Sequence, residues 1–327
     1  MPLTRRDAIA GITGGLSLLI APHARAEGAY PSRIVKLVVP YPAGGTTDLL
    51  GRLIADRLKG GLQATVIVEN KPGAATVLGA EQVARAAPDG YTLLIATSTT
   101  LAINRTLYKK LPYDPVKDFA AIALVAAVPF VLVINPSLPA KTLAEFIAYA
   151  KQKPGLTYGS AGNGSPQHLG AEMLKAQAGI DIRHVPYRGS VPAMLDVIAG
   201  HISFMVVDLQ PALQQIREDK VRVLGVTTPK RVAAAPDIPT LAESGLPGFE
   251  LVAWQGVVAP HGTPRPIVER LAAEIGNFVS GYAARGQFAA LALEPLPPST
   301  PESFAAYIAS EGDRWATIVK MAGIEPE

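Results

Sequence analysis

Ile34–Leu58 reads IVKLVVPYPAGGTTDLLGRLIADRL, and this one stretch contains a strand, a turn and the start of a helix. Ile34–Pro40 is a short, mostly apolar, β-branched run of strand length. Tyr41–Gly45 forms a turn on Pro42, Gly44 and Gly45, and a helix opens at about Thr47, with Thr46 or Thr47 as its N-cap. A strand that passes through a glycine turn into a helix is the first half of a βαβ unit, the repeating element of mainly parallel sheets.

The same alternation continues along the chain. Thr65–Glu69 (TVIVE), Tyr91–Ala96 (YTLLIA) and Phe130–Ile134 (FVLVI) are further strand-length runs, apolar enough for a sheet covered on both faces. A second series follows at Leu156–Gly159, Ile182–Pro186, Ile202–Val207 and Val221–Val226, each preceded by a helical stretch. Phe249–Ala259 then reads as one long strand. After it come only helices: Pro264–Val279, with Ile267, Val268, Leu271, Ile275, Phe278 and Val279 on one face, and Glu302–Met321, with Phe304, Tyr307, Ile308, Trp315, Ile318 and Val319 on one face.

Strands that end near residue 259 with two amphipathic helices still unplaced imply that the chain returns to cover the first sheet. The expected architecture is therefore α/β with two lobes, each a mainly parallel sheet flanked by helices. Residues 27–126 with 255–327 form lobe 1, and 127–254 form lobe 2. The chain crosses between them near 124–134 and 250–260, a two-segment hinge beside a cleft.

Composition narrows the class. Of 327 residues, 49% are hydrophobic and 17% charged, which excludes a disordered chain. The glycines follow no three-residue period, which excludes collagen. Beyond residue 30 no uninterrupted apolar run approaches the ~20 residues of a membrane helix. At the start, Met1–Arg6 is basic, Ala8–Ala21 is weakly apolar, and Ala24-Arg25-Ala26 is an A-x-A cleavage site. We read residues 1–26 as a secretory signal cleaved after Ala26. Thr4-Arg5-Arg6-Asp7 points to the twin-arginine route, with general secretion the alternative. Without Arg5, Arg6, Arg25 and Asp7 the chain keeps 27 basic and 26 acidic residues, so no basic footprint for nucleic acid remains. An exported chain with no cysteine relies on its core alone, and about 300 residues suffice for that. The expected location is a bacterial periplasm.

The candidate chemistry lies in loops that follow strands. Tyr41–Asp48 reads either as an anion site at a helix start or as an ordinary strand-to-helix turn. Asn70–Thr76 (NKPGAAT) repeats the device, and Thr97-Ser98-Thr99 would face the same point. In Gly159–His168 (GSAGNGSPQH) a glycine-rich loop leads to Ser165 as N-cap and Pro166 as first helical residue, with Ser165, Gln167 and His168 beside the helix start. His168 is either a site residue or a helix-face histidine satisfied by backbone. Arg188, in Tyr187–Ser190, either grips a carboxylate bidentately or is a surface arginine. Asp208 either faces the cleft or caps the helix after Pro211. There is no G-x-x-x-x-G-K-[ST], no G-x-G-x-x-G, no H-E-x-x-H and no G-x-S-x-G, so nucleotide, zinc and serine-hydrolase chemistry lack support.

Six segments occur in an order that resembles one family: PYPAGGTTDLLGR (40–52), VENKPGAATVLGA (68–80), APDGYTLL (87–94), GSAGNGSPQHLGAEM (159–173), VPYRGSVPAMLDVIAGHISFM (185–205) and WQGVVAPHGTP (254–264). They resemble the Bug proteins, the TctC-like extracytoplasmic solute receptors of tripartite tricarboxylate transporters, over essentially all of 30–323. The resemblance implies a type II periplasmic binding protein of Venus-flytrap form. Such a protein closes on a small carboxylated solute (an organic acid, aromatic acid or amino acid) and presents it to a membrane permease. It implies a monomer with no cofactor, no metal, no catalytic residue and no nucleic acid. Carried onto this sequence, the ligand-binding positions are Gly44, Gly45, Thr46, Thr47, Ala75, Ser165, His168, Arg188 and Asp208. Tyr41, Pro42, Thr76, Ser98, Asn163 and Gly189 join them from the same loops. Ala75 stands where a second glycine is often seen, which narrows that loop. Two rival readings remain: an exported enzyme using Ser165 and His168, and a ligand receptor for a sensor kinase.

Overall fold

The computed structural model describes residues 30–326, and the expected leader, residues 1–26, lies outside them. In chain order the elements are strand β1 (Val35–Val39), helix α1 (Thr46–Leu62), β2 (Val66–Asn70), α2 (Val77–Ala84), β3 (Thr92–Thr97), a π-helical turn (Thr99–Ile103) running into α3 (Asn104–Leu107), and β4 (Phe119–Ile134). Next come α4 (Leu143–Gln152), β5 (Leu156–Ser160), α5 (Pro166–Ala178), β6 (Ile182–Pro186), α6 (Ser190–Ala199), β7 (Phe204–Asp208), α7 (Leu209–Arg217) and β8 (Arg222–Val226). The chain ends with β9 (Val252–Pro260), α8 (Arg265–Ser280), α9 (Tyr282–Ala290), β10 (Glu294–Pro295) and α10 (Pro301–Met321).

One sheet has the order β2-β1-β3-β9-β4, with β1 parallel to β2 and β3, and β9 antiparallel to both its neighbours. The other runs β6-β5-β7-β4-β8, with β5 parallel to β6 and β7, and β4 antiparallel to β7 and β8. Strand β4 serves both sheets. Phe119–Pro129 pairs with β9, and Phe130–Ile134 pairs with β7. Pro129 stands at the change of partner, a position where its missing N–H interrupts no continuous ladder.

Period-two alternation along β4 builds two cores. Phe130, Leu132 and Ile134 join the large core shared with both sheets. Val131 and Val133 face the other way, into a smaller core with Met205, Val207, Ala193 and Val197. All five of these β4 residues are buried to 1% exposure or less, a gain of about 1.5–3 kcal/mol each relative to exposure. In the first sheet, Gly256 of β9 lies beneath the Phe304 ring. A Cβ there would come within 2.4 Å of that ring and 2.7 Å of the Ala123 carbonyl oxygen, so only glycine lets α10 seat this closely.

Several boundaries differ from the sequence expectation. The expected strand Phe130–Ile134 is the second half of a 16-residue strand. Its first half is alanine-rich and carries little β signal of its own, and two register shifts opposite β9 break its alternation. The expected strand Phe249–Ala259 begins only at Val252, because Leu251 N–H is taken by the Thr227 carbonyl in the segment that follows β8. The π-helical turn, α3, α9 and β10 are absent from the sequence reading.

Candidate functional site

The loops that follow β1, β2, β3, β5, β6 and β7 converge between the sheets on a cleft with two chambers. An inner chamber of about 250 Å³ lies over strands β4 and β9. An outer one of about 550 Å³ lies between the 72–76 and 161–163 loops. Tyr41, Pro42, Ala161, Arg188 and Gly189 line both and form the waist between them.

At the inner chamber the first turn of α1 is offered uncapped. Its N-cap is Gly45, not Thr46 or Thr47, and no side chain accepts from that turn. Thr46 and Thr47 are instead its first helical residues and line the chamber. Open N–H groups and the positive end of the helix dipole therefore meet there. Asp48 keeps this turn in place from behind. Its carboxylate accepts from Gly44 N–H at 2.9 Å, from Arg52 Nε at 3.0 Å and Nη2 at 3.1 Å, and from Asn70 Nδ2 at 2.9 Å. Burial alone would raise this acid, but those donors together hold it below the usual aspartate range. Asn70 Nδ2 also reaches the Tyr41 carbonyl at 3.1 Å, tying β2 to the loop. In Asn70→Ala we expect a loss of about 1–2 kcal/mol in urea unfolding, the cost of taking this donor from the Tyr41 carbonyl and from Asp48 Oδ1, which keeps only Arg52 Nη2. A loss below about 0.5 kcal/mol would mean that the loop holds itself.

The inner chamber also collects unsatisfied polar groups. Ser98 Oγ, Gln167 Oε1 and Gln255 Oε1 are buried without a hydrogen-bond partner in the protein, in residues 0–6% exposed that all line this chamber, while the buried Thr46 side chain faces Asp208. Buried polar atoms are rarely left unpaired, and three around one cavity mark a place built to be filled by a polar molecule. Asp208 lies at the end of β7 opposite Phe130 and accepts from Gln167 Nε2 at 2.5 Å. It occupies the N-cap position of α7, whose first residue is Leu209, yet its side chain caps nothing, so the capping alternative does not hold. Burial pushes its carboxyl above the usual range. Burial likewise raises Tyr41, whose hydroxyl reaches Thr99 Oγ1 at 3.3 Å. Val128, Phe130, Pro192 and Trp254 supply apolar walls.

Of the sequence-derived positions, Tyr41, Pro42, Gly45, Thr46, Thr47, Ser98, Arg188, Gly189 and Asp208 line the inner chamber, and Ala75, Thr76 and Asn163 line the outer one. Arg188 is exposed at the waist and forms no ion pair among the described residues. Ala74, Ala75 and Thr76 all have positive φ, of 45°, 47° and 77°, a backbone that costs a residue with Cβ about 1–2 kcal/mol. Asn104 Nδ2 holds the loop there through the Ala75 carbonyl at 2.8 Å, and Thr100 Oγ1 through Thr76 Oγ1 at 3.0 Å.

Gly44, Ser165 and His168 line neither chamber. Gly44, at φ 88°, shapes the turn. Ser165 is the N-cap of α5, accepting from His168 N–H and donating to the Gly162 carbonyl at 2.7 Å. The His168 ring accepts from Gly164 N–H at Nδ1, 3.1 Å, and stacks on His184. No bond joins the Ser165 hydroxyl to that ring, so the nucleophile-and-base pair of the enzyme reading is not assembled. Gln167 and Gln255 carry much of the chamber's polarity. Gln255 was missed by the sequence reading, and its one available signal is that it is a lone amide within an otherwise apolar strand.

Residues 50–324 match TctC, the tripartite tricarboxylate transporter family receptor. Protein BugT of Bordetella pertussis is 34% identical over 325 residues, 99% of this chain and 99% of its own. Two solved structures are alike throughout. R. palustris Rpa4515 with adipate has a TM-score of 0.88 at 36% identity, covering 91% of this chain and 100% of that one. The periplasmic binding protein BugD has a TM-score of 0.85, also at 36% identity, covering 91% and 100%.

Proposed function

The chain belongs to the tripartite tricarboxylate transporter receptor family, and from that premise we propose that it is a periplasmic receptor that closes its two lobes on a small carboxylated solute and hands it to a membrane permease, performing no chemistry itself. The observation that carries this reading is the inner chamber: an uncapped helix start for an anion, ringed by three buried and unpartnered polar atoms, between two sheets joined by the shared strand β4. The adipate held by Rpa4515 supports the carboxylate class. Closing on a ligand would draw an open-to-closed equilibrium towards the closed form.

The leader over 1–26, with cleavage after Ala26, belongs to the same reading, as does a monomeric receptor. For the lobes we take 27–126 with 255–327 and 127–254. The change of partner along β4 at Pro129 and the start of β9 at Val252 support a hinge near both boundaries.

The test is a thermal-shift screen of the purified protein, first unfolded and refolded to strip carried-over ligand, against aliphatic, aromatic and amino acids. At a hundredfold excess over Kd a specific ligand adds about 2.7 kcal/mol, or roughly 5 °C in Tm. A shift confined to one class of acid identifies the solute. No shift with any acid would overturn the carboxylate assignment.

A further inference from the structure

The inner chamber offers two kinds of partner. The open N–H groups at the start of α1 donate. Acceptor groups stand beside them, since Gln255 reaches Thr47 and Asp208 faces the Thr46 side chain. Gln167 Nε2 faces Asp208 Oδ1 at 2.5 Å and Ser190 Oγ at 3.3 Å. A carboxylate oxygen can only accept, so the amide orientation is set by chemistry and Gln167 Oε1 is left as a buried acceptor without a donor. Gln255, placed with its Nε2 on Thr47 Oγ1 at 2.9 Å, has its Oε1 unpaired in that orientation. Asp208 is the third acceptor group, and no cationic side chain among the described residues acts on it.

We infer that the solute is a carboxylate carrying a hydrogen-bond donor of its own, a hydroxyl or an ammonium group, seated against Asp208, Gln167 and Gln255 while its carboxylate meets the start of α1. This rests on the receptor reading above and narrows it. An unsubstituted chain would leave buried acceptors unpaired, and a second carboxylate beside Asp208 would meet a like charge. A hydroxyl satisfies one acceptor, and an ammonium satisfies several while neutralising Asp208. Val128, Phe130 and Trp254 leave the carbon skeleton an apolar bed.

Matched acids differing only in one substituent test it by calorimetric titration: propionate, lactate and alanine; succinate, malate and aspartate; glutarate, 2-hydroxyglutarate and glutamate; phenylacetate, mandelate and phenylglycine. In whichever series binds, the hydroxyl or ammonium member is expected to bind at least about tenfold tighter than the parent. Comparing those two members tells which donor is used. In Asp208→Asn the gap should narrow to about threefold or less, through weaker binding of the substituted acid. Parent acids that bind as tightly as their substituted partners, or a gap that survives Asp208→Asn, would overturn the inference and leave the receptor reading standing. If no acid binds to a protein that melts cooperatively, the receptor reading itself falls. Should Asp208→Asn fail to fold, the series on the unaltered protein decides alone.

Discussion

Between about pH 8 and pH 5 the unfolding free energy is expected to drop by about 4 kcal/mol through two histidines, His168 and His184. Their rings stack with centroids 3.8 Å apart and 9° between planes, and Tyr158 stacks on His184 at 5.0 Å. Burial first, and then the charge of a neighbour, Lys175 for His168 and His168 for His184, bring both imidazoles down to about 4. Glu172, hydrogen-bonded to the Tyr158 hydroxyl, opposes this for His184 without reversing it. The sign follows from proton counting. The unfolded chain takes up protons near the ordinary histidine value of about 6.5, while the folded chain refuses them until about pH 4. Acid therefore draws the equilibrium towards unfolding across that window, by about 2 kcal/mol per ring at pH 5, and the effect levels off below pH 4. Urea unfolding at a series of pH values reads it directly. His184→Gln should roughly halve the drop. A loss under about 1 kcal/mol in the unaltered protein would mean that the rings take up protons in place, with water reaching the stack.

That stack illustrates what the linear sequence hides. Ser160, His168 and His184 lie on β5, α5 and β6, and only the parallel register that sets Tyr158 beside His184 brings them together, with Ser160 Oγ 2.6 Å from His184 Nε2. A residue's neighbour across a sheet depends on register, which no local pattern around His168 states. By contrast, Ser165 followed by Pro166 announces a helix start from side-chain chemistry alone, and it is one. β1, β2, β3 and β6 were legible for the same local reason, being short β-branched runs bounded by turn residues. The first half of β4 was not, since alanine favours no strand and the partner strands decide its conformation. The site divides in the same way. Loops after strands were visible as glycine- and proline-rich punctuation, so Gly45, Thr46 and Thr47 were found. Gln255 lies inside a strand and enters the chamber only because β9 runs between β3 and β4, with Thr97 on one side and Ala126 on the other. The left-handed run from Ala74 to Thr76 is likewise imposed from outside, by Asn104 and Thr100.

The second large effect is expected at Glu311, on the helix that returns to cover the first sheet. Its carboxylate is 4% exposed, and one oxygen, Oε2, accepts from both tryptophans of the chain, Trp254 Nε1 at 2.8 Å and Trp315 Nε1 at 2.9 Å. The other oxygen takes Arg314 Nη1 at 3.2 Å. Trp254 belongs to strand β9, opposite Ala127, and lines the inner chamber while packing edge-on against Phe304 and Tyr307. Glu311→Ala would leave two buried indole N–H groups without an acceptor, at about 1–3 kcal/mol each, so a loss of about 4 kcal/mol in urea unfolding is expected. Glu311→Gln keeps an oxygen where both indoles converge and gives up only the ion pair with Arg314, a partly exposed pair worth about 1 kcal/mol or less. The two variants therefore separate hydrogen bonding from charge. If Gln were as damaging as Ala, the charge on Glu311 would be the stabilising element. If both stayed within about 1 kcal/mol of the unaltered protein, α10 would be held by packing on Phe304 and Trp315 alone. In the expected case the ligand-facing wall at Trp254 depends on a helix 57 residues further along the chain, and loosening that anchor should weaken solute binding as well as stability.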